Sequence, residues 1–126
     1  MWREKFNELT ARIKDSKEEY WRDDLEALED SIKQCGEYIK SVNNMEAAIT
    51  SARFRMEPED YREYIMQLDN TRRIEHNYLI RSVRLINKLC SIYRVEPIYK
   101  GDLENRIEIA EFAKSVVDEM FDTRQM

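Results

Sequence analysis

Five residues of types that do chemistry lie close together: Asp69, Arg72, Arg73, His76 and Asn77, in a stretch that holds the sole histidine and the densest run of positive charge. At helical spacings of three and four, much of this set shares one face. Arginine brings a planar bidentate fork and histidine a proton exchangeable near neutral pH, so such a face could orient an anionic ligand. Its default use is different: a buried or interfacial polar network that sets the register between helices. Further along, Arg81, Arg84 and Lys88 join Arg73 in a cationic face able to meet an acidic partner or phosphates.

Acids are just as unevenly placed. Asp15 to Asp30 carries eight acids against two bases, Arg72 to Arg94 six bases against one acid (Glu75), and Asp102 to Asp122 seven acids against two bases. A basic helix between two acidic ones can be neutralised inside the fold, which is the default for the cationic face. Glu26, Glu29 and Asp30 cluster on the earlier acidic block, and Glu108 with Glu111 and Glu119 with Asp122 have the short spacings of an all-α nucleotide pyrophosphohydrolase. In that class magnesium takes carboxylate oxygens and bridges phosphates. Both pairs here fall on one helix where that class draws on two, so solvated acidic faces are the default.

Other chemistries fail at their defining spacing. A helical ribonuclease with an R-x(4-6)-H motif needs a wider gap than the one between Arg72 or Arg73 and His76. A lone histidine cannot supply the paired Glu-x-x-His of a di-iron bundle, and no H-E-x-x-H zinc motif occurs. Cys35 and Cys90 read as two buried thiols, since a disulfide would be unexpected in a reducing compartment. The sequence calls for no metal and no cofactor. A net charge of -5, with no aromatics interleaved among the bases, makes nucleic acid an unlikely partner.

The elements that must position these groups are helical. With two glycines and two prolines in 126 residues, there is little material for hairpin turns, while helix formers abound. The expected fold is all-α: one domain over 1–126, a bundle of four to five helices with one or two long ones and short connections. Trp2, Phe6, Leu9 and Ile13 mark a first amphipathic helix. Ser16 and Glu19 form an S-x-x-E capping box that would start a second helix at Lys17, unless one bent helix runs through. The stripe then passes Trp21, Leu25, Leu28, Ile32, Cys35, Ile39 and Val42, the heptad geometry of helices packed side by side. Gly36 within it marks either a close helix crossing or a tolerated surface glycine.

Asn43 and Asn44 are expected to turn the chain into a short third helix carrying Met45, Ala48, Ile49, Ala52 and Met56. Pro58 should open a fourth helix that brings Tyr61, Ile65, Leu68, Leu79, Ile86, Leu89 and Tyr93 inward, interrupted at Arg72 and Glu75. Unbroken to Arg94, that helix would reach about 55 Å. It must either bend near Asp69 to Thr71 or project and find a partner helix. Ile98 and Tyr99 should tuck back from the loop between Pro97 and Gly101. Asp102 should cap a last helix with Leu103, Ile107, Ile109, Ala110, Phe112, Ala113, Val116, Val117, Met120 and Phe121 inward, fraying from Thr123.

The order D-x-x-R-R-x-x-H-N-x-L-I from Asp69, followed by LINKL and R-x-E-I-A-E-F-A, resembles a family of small helical proteins from Gram-positive bacteria. The likeness covers roughly the C-terminal half. It implies a helical fold and a bacterial cytoplasmic setting, and assigns no activity. No apolar run approaches the roughly 18 to 20 residues of a membrane span, and the first residues lack a signal peptide's apolar core, so a cytoplasmic protein is expected. The leading expectation is a non-enzymatic module that pairs with itself, as a dimer, or with another helical protein. The alternative is a small all-α enzyme or anion- or nucleotide-binding bundle using the Arg72 to Asn77 cluster or the paired carboxylates.

Overall fold

Apolar residues repeating at steps of three and four form helices that can bury only one stripe each, so every helix of this chain must find a neighbour. The computed structural model describes residues 2–121 and shows how they do so. Four helices follow in order: α1 (Trp2–Asp15), α2 (Trp21–Ala52), α3 (Pro58–Ile92) and α4 (Arg106–Phe121), with one 3₁₀ turn at Arg53–Arg55. No strand occurs among the described residues. At 32 and 35 residues, α2 and α3 are about 48 and 52 Å long.

The two long helices run antiparallel along one seam. Tyr93 meets Asp24, Ser82 meets Cys35, Tyr78 meets Tyr38 and Arg72 meets Glu46, in opposite sequence order along the pair. Their seam divides into three layers. At one end Phe6, Leu9 and Ile13 of α1 pack with Leu28, Ile32, Ile86, Leu89, Tyr93 and Val116. In the middle Cys35, Ile39, Leu79, Ile80 and Val83 meet Ile109, Ala113 and Val117 of α4. Beyond that, Val42, Ile49 and Leu68 close on each other with help from Met45, Tyr61 and Ile65, all from α2 and α3. A four-helix bundle at one end therefore passes into a two-helix projection.

Several expected boundaries are corrected. Asn43 and Asn44 do not turn the chain, because α2 continues to Ala52 with both exposed. Each asparagine costs an exposed helix no more than roughly 0.7 kcal/mol against alanine, less than Val42, Met45 and Ile49 gain against α3. The capping box at Ser16 does not form: the hydroxyl donates backwards to the Ile13 carbonyl at 2.7 Å, and α2 starts at Trp21 without a side-chain cap. A non-helical link separates α1 from α2, so they are not one bent helix. Gly36 is buried, which removes the surface-glycine reading.

Pro58 does open the helix, with extended Glu57 before it. The helix neither breaks near Asp69 to Thr71 nor reaches Arg94, ending at Ile92. There Arg94 takes a left-handed φ of 58°, and the Val95 N–H donates to the Cys90 carbonyl at 2.8 Å, closing the last turn. Asp102 does not cap α4. It accepts from the Glu104 N–H at 2.9 Å, while Asn105 accepts from the Glu108 N–H at 3.2 Å and so serves as cap. As a result Leu103 stays at the surface and Ile107 is 68% exposed; on α2, Ala48 is exposed as well. The inward set of α4 is Ile109, Ala110, Ala113, Val116 and Val117, with Phe112 and Met120 half-buried. The Phe121 side chain and the fraying expected from Thr123 lie outside the described residues.

One side chain makes three hydrogen bonds to the backbone of the 93–105 connection. Asn87 donates to the Tyr99 carbonyl at 3.0 Å and accepts from the N–H groups of Ile98 and Tyr99 at 3.0 and 3.2 Å. Ile98 and Tyr99 do tuck back, the Tyr99 ring lying 5.0 Å from that of Phe112.

At the bundle end the Tyr93 hydroxyl donates to Asp24 at 2.5 Å, tying the start of α2 to the end of α3. Burial first, then the hydrogen bond to Asp24 and its charge, pushes the phenol up to about 12. An unfolded tyrosine titrates near 10, so between about 10 and 12 the unfolded chain releases a proton that the native state keeps. Stability contributed by this group is therefore complete below pH about 10 and declines as pH rises toward about 12. Urea midpoints measured across that range should fall with pH, and the fall should be shallower in Tyr93→Phe. Equal slopes in the two proteins would show that Tyr93 is not the titrating group.

Candidate functional site

On a helix of 3.6 residues per turn, the five clustered residues fall on two adjoining lines rather than one. Asp69, Arg72 and His76 follow one of them. There Arg72 pairs with Glu46 at 2.7 Å, both about half exposed. Arg73 and Asn77 follow the neighbouring line: Arg73 donates to Asn70, and the Asn77 side-chain oxygen accepts from Arg106 of α4. Arg72, Arg73, His76, Asn77 and Arg106 border one open depression, and Asp69 stands outside it. His76 is half-buried.

The polar interruption of the α3 stripe has a specific content. Glu75 is 3% exposed and its carboxylate meets Lys114 of α4 at 3.2 Å. About two turns further along α3, the Cys35 thiol donates to the Ser82 hydroxyl at 3.1 Å, both groups being buried. Burial pushes the Cys35 thiol up, and the Glu75 charge adds to this, against the opposing pull of the Ser82 hydrogen bond. Cys90 is raised by burial as well. Both thiols are free and keep the neutral, unreactive form near pH 7. Glu75 was visible in the sequence as an acid in the phase of the stripe. Lys114 was not, because only the docking of α4 brings it there.

A groove of about 620 Å³ runs between α2, α3 and the start of α4. Arg81, Arg84 and Arg106 line it with Glu104, and the rings of Tyr38 and Tyr78 stand beside them, 4.9 Å apart and tilted by 43°. Arg84 donates to the Leu103 carbonyl at 3.1 Å and Arg106 to Asn77. The Asn87 clamp and the Asn105 cap hold the loop that fixes both contacts. The Tyr78 hydroxyl is raised by burial first and by the nearby Cys35, Tyr38 and Asp30, with Arg81 opposing. Arg81, Arg84 and Lys88 are all exposed along this side of α3. Arg106, counted in the sequence only as a base within an acidic block, is the member that sequence reasoning missed.

The acidic pairs do not gather. Glu26, Glu29 and Asp30 are exposed on α2, and Glu108, Glu111 and Glu119 are exposed on α4; Asp122 lies outside the described residues. Among the described residues, no three His, Cys, Asp or Glu side chains are placed to hold a metal ion. No helix among them is long and apolar enough to cross a membrane.

Comparison with known proteins gives one family. Its model, described as "Protein of unknown function (DUF3232)", matches residues 2–126, so the likeness extends through the N-terminal half as well as the C-terminal one. No curated protein and no solved structure matches the chain.

Removing Lys114 would strand the Glu75 carboxylate in the core. Breaking a buried pair costs about 3–5 kcal/mol, and the half-exposed ammonium reduces this to roughly 1–3 kcal/mol for Lys114→Ala. The paired change Glu75→Leu with Lys114→Met should recover most of that loss. Denaturant titration of the two proteins checks both values. Lys114→Ala within 0.5 kcal/mol of the parent, about the spread of neutral surface changes, would mean that the pair does not hold α4 on α3.

Proposed function

Because the chain belongs to the DUF3232 family of proteins of unknown function, its role is read from its geometry, and we propose a non-enzymatic helical module that pairs with a second copy of itself. The observation that carries this reading is the half-finished bundle formed by the far ends of α2 and α3. Val42, Ile49 and Leu68 form a core there from two helices alone, where the other end of the molecule uses four. Outside that seam Phe54 is 88% exposed and Met66 72% exposed, and Tyr64 is exposed as well.

Burying side chains of this size is worth about 1.5–3 kcal/mol each, which a second two-helix unit would supply by completing a four-helix arrangement. Charge favours the same occupant. Residues 40–73 carry six bases and six acids, so the projection is neutral in a chain of net charge -5 and does not repel its copy. A two-fold pairing requires such self-complementarity. A bacterial cytoplasmic setting, implied by the motif order, belongs to this reading, and a different helical protein is the other occupant the projection would accept.

The enzyme reading draws less support. Arg72 is already paired with Glu46, Glu108 and Glu111 are exposed on α4, and the Glu119 carboxylate accepts from the Trp2 N–H at 3.0 Å.

Sedimentation equilibrium of the full chain at tens of micromolar should give twice the 15.3 kDa chain mass. Phe54→Ser with Met66→Lys should shift it toward one chain while the helical circular dichroism is unchanged. A parent protein of single-chain mass at that concentration would reject self-pairing.

A further inference from the structure

We propose that the groove between α2, α3 and the start of α4 binds a small phosphate-bearing ligand through Arg81, Arg84 and Arg106. This site is separate from the projection and does not depend on self-pairing. Three guanidinium groups from two helices gather here, although the chain as a whole is acidic. Bringing like charges together is unfavourable unless an anion shares them, and guanidinium matches phosphate oxygens bidentately. Glu104 shares the lining, yet it makes no ion pair with any of the three.

Two of the arginines are held in place before any ligand arrives. One N–H of Arg84 is tied to the Leu103 carbonyl and one of Arg106 to Asn77, leaving their other donors available. Holding them in this way lowers the ordering cost of binding. Arg81 makes no hydrogen bond or ion pair with the described residues, so its whole fork is available. Beside the cations, Tyr38 and Tyr78 offer ring faces, with Ile74 and Ile80 adding apolar surface. This juxtaposition suits a phosphate attached to a flat ring, as in a nucleotide. Its volume of about 620 Å³ lies in the range of small-molecule sites, roughly 300–1,000 Å³. The acidic net charge and the carboxylate at the rim oppose a long nucleic acid.

Calorimetric titration of the full chain with ADP, pyrophosphate and adenosine, at about 50 mM salt where phosphate contacts are least screened, tests the assignment. ADP should bind, pyrophosphate should compete with it, and adenosine should give no measurable heat. Arg81→Ala removes a side chain with no hydrogen-bond or ion-pair partner among the described residues and should weaken ADP about tenfold or more, the loss of roughly one good charged contact. Arg106→Ala should act in the same direction, and is read in its place should Arg81→Ala lose its helical circular dichroism. Arg12→Ala, on α1 and away from the groove, should bind as the parent does. No heat from ADP or pyrophosphate up to roughly 1 mM would overturn the site, that being the weak end of useful affinity. So would equal weakening by Arg12→Ala, or adenosine binding as tightly as ADP. Single-stranded RNA binding more tightly than ADP would overturn the small-ligand assignment.

Discussion

The antiparallel seam of α2 and α3 is the constraint from which the rest of the molecule follows. Two helices of about 50 Å share one apolar stripe, but only 14 residues of α1 and 16 of α4 are available to cover their flanks. Cover is therefore concentrated at one end, where the end layer is completed by all four helices and the middle layer by α2, α3 and α4. At the other end the seam has to stand on two. The sequence complements this division: the projecting half is charge-balanced and carries exposed Phe54 and Met66, whereas the covered half keeps most of its acids on outward faces and buries Glu75.

Docking of α4 decides what the polar residues do. As α4 settles on α3, Lys114 reaches the buried Glu75, and at its start Arg106 reaches Asn77. One contact lies in the core and the other at the surface, so the same helix both closes the middle layer and completes a cationic groove. Asn87 makes this reproducible by satisfying three backbone groups of the connecting loop, which would otherwise compete for water. A surface groove built on such a clamped loop keeps its geometry better than one built on free side chains, because little is left to order when a ligand enters.

A buried ion pair is seldom the most stable way to fill a core, but it is a good way to select one arrangement. Glu75 sits where the apolar stripe would otherwise let α4 slide along α3, and Lys114 meets it at one register. Cys35 and Ser82 repeat the device between α2 and α3 with neutral groups. Both sites place a polar demand on an otherwise greasy seam and meet it from the neighbouring helix.

How much was legible in the sequence follows from whether a property is local. The all-α class, Pro58 as the start of α3 and most of the inward stripes depend on spacing and backbone restriction within a few residues, and the chain by itself determined them. Helix ends were less legible. Asn43, Asn44, Ser16 and Asp102 have the chemistry of turns and caps, yet packing across the seam carried α2 through the first two, and the hydroxyl and carboxylate of the others found nearer partners. The site was least legible of all: Arg106 and Asn77 are 29 residues apart, and Glu75 and Lys114 lie on different helices. No periodicity encodes such meetings, because they are set by how far one rigid helix slides and rotates against another. Only the tertiary structure decided that.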